Sequence, residues 1–165
     1  MNKIWVAAFL CSLSLHSSSV LVALAADEGR AKEYGTIAHL QQTTDELRTR
    51  MQILERVVVT VVDHNPLVMS VETLGGRSGP FVITADREFI SSLQSDELKA
   101  ALAHELGHVW IYTHHPYVQT ERLANDIALR VTSAEVLLPL YEKVWKRLGI
   151  RGNLADYMTL PDGQY

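Results

Sequence analysis

The sequence predicts an α+β fold: a small antiparallel sheet packed on an N-terminal helix and on a pair of helices further along the chain. Three observations predict it. Apolar residues recur at three- and four-residue spacing after Ile37, β-branched runs of strand length follow, and helical patterning dominates from Asp86 onward.

The first element is amphipathic. In "YGTIAHLQQTTDELRTRMQILER", Ile37, Leu40, Leu47, Met51 and Leu54 form one apolar stripe with polar residues between them. It is too short for a coiled-coil seam, so the stripe is expected to pack on its own domain. "VVVTVVDH" then reads as a strand, and "HNP" ends it. "LVMSVET" and "FVIT" read as two more strands, and the Gly-rich "LGGRSGP" between them predicts a hairpin. "DREFISSL" is a short helix and "SDELKAALAHELGHVWIYTH" a long one, with Ser95 as the expected N-cap and Asp96 and Glu97 in the acidic first turn. Pro116 interrupts the pattern. "TERLANDIALRVTSAEVLL" resumes a helix, and "PLYEKVWKRLG" forms another with Pro139 near its start and Gly149 as its stop. The tail from Ile150 reads as irregular.

The chain has 165 residues and a formal net charge of −4, with 47% hydrophobic and 21% charged residues. Those values describe a chain able to bury a core, and they exclude a disordered tail. It has no run of five cations, so a nucleic-acid-binding surface has no support. The first 25 residues differ from the rest. Lys3 precedes the apolar "IWVAAFLCSLSL", and the small-x-small site Ala23-Leu24-Ala25 follows. This predicts a secretory signal over residues 1–25, cleaved before Ala26, and a single domain over 26–165. The alternative is an uncleaved membrane anchor, which His16 and the serine cluster weaken. The single cysteine, Cys11, lies inside the predicted signal, so the expected mature chain has no cysteine and needs no disulfide. An exported protein, periplasmic or secreted, is the expectation, with no stable membrane span after cleavage.

Within the long helix lies "HELGH". Residues four apart share a helix face, so His104 and His108 can direct both imidazoles at one point. Imidazole is a good Zn²⁺ donor, and two on a rigid helix are partly organised in advance. Glu105 is offset toward the open coordination position, where a carboxylate can take a proton from water and pass it to a leaving amine. One Zn²⁺ per chain, with Glu105 as the catalytic base, is therefore expected.

The third ligand has rival candidates. His114 stands at the spacing of the pattern HExxHxxGxxH, in which a glycine turns the chain sharply away from the helix. Here that position is Ile111, a β-branched residue that resists positive φ, so the helix is expected to continue. His114 then lies about 1000° of rotation from His104, turned well away. Glu121, thirteen residues beyond His108 and early in the next helix, is the expected ligand, with His114 and His115 as the alternatives. Asn125 or Asp126 could orient a ligating histidine through its far ring nitrogen. Tyr112, His115, Tyr117 and Arg122 are the candidate oxyanion donors.

The stretch "NPLVMSVETLGG…GPFVITADREFISSLQSDELKAALAHELGHVW", followed by "ERLANDIAL", resembles the gluzincin metallopeptidases of the CAAX prenyl endopeptidase and HtpX type, metallopeptidase family forty-eight. The resemblance spans roughly residues 65 to 130. It implies a minimal zincin-like domain, zinc on His104, His108 and Glu121, Glu105 as general base, and an extended substrate added as a strand beside "LVMSVET". Two features depart from that family: a short interval between His108 and Glu121, and Asn125 where the family has aspartate. In those respects "ERLAN" is similar to the ImmA/IrrE-type metalloproteases. No apolar span follows the motif, which argues against processing of prenylated proteins inside a membrane.

The sequence thus predicts an exported zinc metalloendopeptidase acting on polypeptides through a metal-activated water. The alternative is a weakly active or inactive zinc-binding pseudo-peptidase that holds polypeptides as a chaperone or adaptor.

Overall fold

The computed structural model describes residues 35–74, 79–114 and 116–158, so the expected signal and its cleavage point lie outside the described residues. Backbone contacts make Ile37–Tyr165 one unit, and the fold below is that unit's.

Helix α1 (residues 35–50) buries Leu40, Thr43, Thr44 and Leu47 on one face, and Met51 follows in the turn. The two buried threonines are satisfied locally: their hydroxyls donate to the carbonyls of His39 and Leu40. Leu54 does not continue the stripe as expected. The helix has ended, Gln52 takes a φ of 58°, and Leu54 is left 89% exposed while Ile53 enters the core.

Strands β1 (Val57–Val62), β2 (Met69–Thr73) and β3 (Phe81–Asp86) form one sheet in the order β1-β3-β2. The expected hairpin is present, since β2 pairs antiparallel with β3, Met69 opposite Ala85 and Thr73 opposite Phe81. The sheet as a whole is mixed, however, because β1 pairs parallel to β3, Val57 opposite Phe81. The most buried strand, β3, takes the centre with Phe81, Ile83 and Ala85 buried, which puts β1 and β2 on opposite sides of it. Short-range turn signals specify the hairpin but not this non-local pairing. Gln41 of α1 partners the outer edge of β1: its amide donates to Val57 O (3.0 Å) and accepts from Val59 N (2.9 Å).

Asn65 ties the β1–β2 connection across the end of β3. Its side chain donates to Thr84 O (2.8 Å) and Ser70 Oγ (3.1 Å) and accepts from Leu67 N (2.9 Å). Its own N–H donates to the buried carboxylate of Asp86 (3.1 Å). Asp86 also caps α2 (Arg87–Ser91), accepting from Phe89 N at 2.9 Å. Burial pushes the Asp86 carboxyl up, but these two N–H donors, with Arg147 and His64 nearby, outweigh it and hold the group below the usual carboxylate range.

Helix α3 (Ser95–Thr113) starts one residue earlier than expected, with Gln94 as its N-cap; Glu97 accepts from Gln94 N at 2.6 Å. It runs through Ile111, as the absence of a glycine there requires. Packed against β2, α4 (Glu121–Ala128) and α5 (Ala134–Leu148), it is buried on most sides, so small residues such as Ala100, Ala101, Ala103 and Gly107 are needed along it. The segment after Thr120 is not one long helix. It breaks at residues 129–133, and Ser133 in extended backbone opens α5, placing Pro139 inside α5 rather than near the start of a separate helix. Pro139 is exposed and has no backbone N–H to give to the preceding turn. Lys143 fastens α5 to α3 through Glu97 (2.6 Å). In the described part of the tail, where an irregular chain is expected, α6 (Leu154–Tyr157) forms and Met158 is buried. Among the described residues no helix is long and apolar enough to cross a membrane.

Candidate metal centre

Close contact between α3 and α4 builds the site. A Cβ on Gly107 would lie 2.5 Å from the backbone oxygen of Ala124, so the helices meet backbone to backbone at this glycine. Thr120 fixes where α4 begins, its hydroxyl accepting from Leu123 N (3.1 Å), and Glu121 is therefore the first helical residue.

Glu121 reaches both histidines of HELGH. His104 Nε2 lies 3.2 Å from Glu121 Oε2, His108 Nε2 lies 3.4 Å from Oε1, and the two Nε2 atoms are 3.2 Å apart. The carboxylate straddles the imidazole pair, one oxygen to each. Among the described residues, His104, His108 and Glu121 form a group whose donor atoms could hold a metal ion.

The tautomers can be assigned from the hydrogen-bond network. The Asn125 amide nitrogen donates to Tyr141 Oη (2.6 Å) and to the Tyr157 carbonyl (2.7 Å). A carbonyl can only accept, so Asn125 Oδ1 is the atom facing His104 Nδ1 at 2.8 Å, and that nitrogen carries the hydrogen. The same logic applies at His108. Gln119 Nε2 donates to the His108 carbonyl (2.9 Å), which leaves Gln119 Oε1 to accept from His108 Nδ1 at 3.0 Å. In the neutral imidazoles both Nε2 atoms therefore present lone pairs toward each other and toward a carboxylate. Such a cluster repels itself unless a cation lies among its members, either a proton on Nε2, which lets a ring donate to Glu121, or a metal ion. The spacing suits Zn²⁺, since donors about 2.0–2.1 Å from a tetrahedral centre stand about 3.3 Å from one another.

The electrostatics follow from these contacts. Hydrogen bonds from His104 and His108 hold the Glu121 carboxyl far below the usual range, against a smaller opposing effect of burial. Burial lowers His108, but Glu121 and Gln119 as acceptors, and the charge of Glu105, raise it on balance. Glu105 is pushed up by burial, a cost that the neighbouring histidines reduce and the Glu121 charge adds to.

A cavity of about 640 Å³ opens on the site. His104, Glu105, His108 and Glu121 line it together with edge strand β2 and apolar α5 residues such as Leu140, Val144 and Trp145. Glu105 is only 7% exposed.

The other candidates divide clearly. Asn125 is fully buried against His104, whereas Asp126 is exposed. His114 is turned away: it stacks on Trp110 with ring centroids 4.0 Å apart, its Nδ1 is 2.8 Å from Trp110 O, and it is not in the donor group. His115 lies outside the described residues. Tyr112 lines the cavity, while Tyr117 and Arg122 are exposed and are not among its lining residues. Gln119, Tyr141 and the Tyr157 carbonyl were not legible as site groups. Gln119 belongs to no periodic pattern, and a backbone carbonyl has no residue signature.

No protein-family model matches the chain, and no curated protein sequence matches it. Among solved structures, the chain is similar to the crystal structure of the metallopeptidase zymogen of Pyrococcus abyssi abylysin, with 16% identity and a TM-score of 0.49, over 69% of this chain and 99% of that one. At that level of similarity, the functional reading rests on the site's own geometry.

Proposed function

We propose that this chain is an exported zinc metallopeptidase of gluzincin type, with His104, His108 and Glu121 as ligands and Glu105 as general base. One observation carries the reading: three donors on two packed helices stand at tetrahedral edge spacing and open on a cavity that a buried carboxylate shares. A zinc ion held there supplies Lewis acidity, polarising a carbonyl and bringing the pKa of a water toward about 7.

The remaining work falls to the chain's own groups. Glu105 accepts the proton of the attacking water and delivers it to the departing amine nitrogen. Burial, by making its ionised form less favourable, suits it to both halves of that transfer. Asn125 and Gln119 keep the Nδ1 hydrogens on the far side of both imidazoles. Among the described residues no further strand pairs with the outer side of β2, which lies along the cavity wall, so an extended polypeptide can add to it as a further strand. The apolar stretch ending at Ala25 supports export as the setting.

The test is zinc content together with turnover of an unfolded polypeptide such as casein. Wild type should contain about one zinc per chain and cleave. Zinc binding without cleavage would instead support a polypeptide-binding role, and absence of zinc would remove the reading altogether.

A further inference from the structure

We propose that Gln119 is a positioning residue for the metal centre, setting the tautomer and angle of His108 from the loop that joins α3 to α4. This rests on the metal reading above and goes beyond it by assigning a role to a residue outside the ligand set and outside HELGH.

Gln119 touches His108 twice. Its Oε1 lies 3.0 Å from the ring Nδ1, and its Nε2 donates to the same residue's backbone carbonyl at 2.9 Å. The second bond makes the first one specific: with the NH₂ group committed to a carbonyl, only an acceptor can face the ring. The Nδ1 hydrogen is thereby fixed, and the Nε2 lone pair points to His104 and Glu121. His104 receives equivalent support from Asn125, which is fully buried. Gln119 is exposed, so His108 is oriented from the solvent side by a residue eleven positions away. Partners of this kind typically change metal affinity by 10–100-fold when lost.

A glutamine tethering a loop to a helix carbonyl would show the same two bonds, and two substitutions separate the roles. Gln119→Met keeps the side-chain length and loses both bonds. Gln119→Glu keeps an acceptor for Nδ1 and loses the donor to the carbonyl. Zinc affinity of the full chain is measured by competition with a chromophoric chelator, with circular dichroism and the metal-free Tm as checks on folding.

The positioning role predicts that Gln119→Met weakens zinc by roughly 10–100-fold, and that Gln119→Glu recovers most of the loss. A mere tether predicts that the two variants fall together, since both lack the donor. Equal weakening, or wild-type affinity in Gln119→Met, overturns the role of Gln119. If that happens while His108→Ala still abolishes tight binding, the metal reading survives. A wild-type chain with no tight zinc binding removes both.

Discussion

Gly107 on α3 faces the carbonyl of Ala124 on α4 so closely that a methyl group would stand 2.5 Å from that oxygen. This contact brings the first residue of α4 over the histidine pair of α3. Replacing glycine by alanine within a helix ordinarily gains about 0.5–1 kcal/mol. Here the obstacle is backbone that cannot swing aside, and such overpacking costs about 1–3 kcal/mol. Gly107→Ala should therefore lower stability on balance and weaken zinc binding, because α4 is displaced with Glu121 on it. Urea unfolding and a zinc titration check both effects, and unchanged zinc affinity would show that Glu121 is not positioned by this contact.

Glu105→Gln should abolish casein cleavage while keeping zinc. The amide cannot accept a proton from water, yet Glu105 is not in the donor group. Because burial disfavours the ionised carboxylate, the metal-free variant should also melt no lower than wild type at pH 7. Cleavage at the wild-type rate would reject Glu105 as the base.

Glu121→Ala and His114→Ala separate the two candidate third ligands. Glu121 lies within 3.4 Å of both ring nitrogens, whereas His114 is stacked on Trp110. Zinc should be lost from the first variant and retained by the second, as read by metal analysis after dialysis. The opposite pattern would falsify the assignment.

Asn125→Asp is nearly isosteric and should nevertheless destabilise this protein. The Asn125 amide donates to Tyr141 Oη and to the Tyr157 carbonyl; a carboxylate can instead accept from the Tyr141 hydroxyl, but it would face the Tyr157 carbonyl with no hydrogen to give. Leaving the Tyr157 carbonyl unmet costs about 1–3 kcal/mol. The contact to His104 Nδ1 persists, so the folded fraction should still bind zinc. Urea midpoints in chelator, compared with zinc titration, check the two halves; a stability equal to wild type would contradict the donor assignment.

Asp86 predicts the acid response. Its folded pKa lies below the unfolded value, so its contribution is complete above about pH 4 and is lost as pH falls through the lower folded value. Asp86→Asn can still accept from Phe89 N but cannot ionise. The variant should be less stable than wild type at pH 7, and the gap should narrow as the pH falls below about 4, as followed by chemical denaturation. A gap independent of pH would mean that shape rather than charge matters at this position.

Legibility of the fold followed the range of the interactions. Helical spacing, the hairpin and the α+β class are local patterns, and the sequence carried them. The parallel pairing of β1 with β3 joins strands more than twenty residues apart and left no local mark. Leu54 misled because its spacing is helical although the helix stops at residue 50. Ser133 was a helix-opening signal overshadowed by the more conspicuous Pro139. At the site, His104, His108, Glu121 and Asn125 were visible because helix geometry relates residues three and four apart, and the structure brings all four together. Gln119 was invisible because a loop residue meets its partner through a conformation that spacing cannot encode.

The carbonyl of Tyr157 holds Asn125, which in turn holds His104. A ribosome-bound chain extended only as far as α4 would already own every donor atom, yet Tyr141 and Tyr157, which anchor Asn125 behind His104, would still be missing. Such a nascent molecule would carry a slack and inefficient centre, and full competence would arrive only after the downstream segment had emerged and docked.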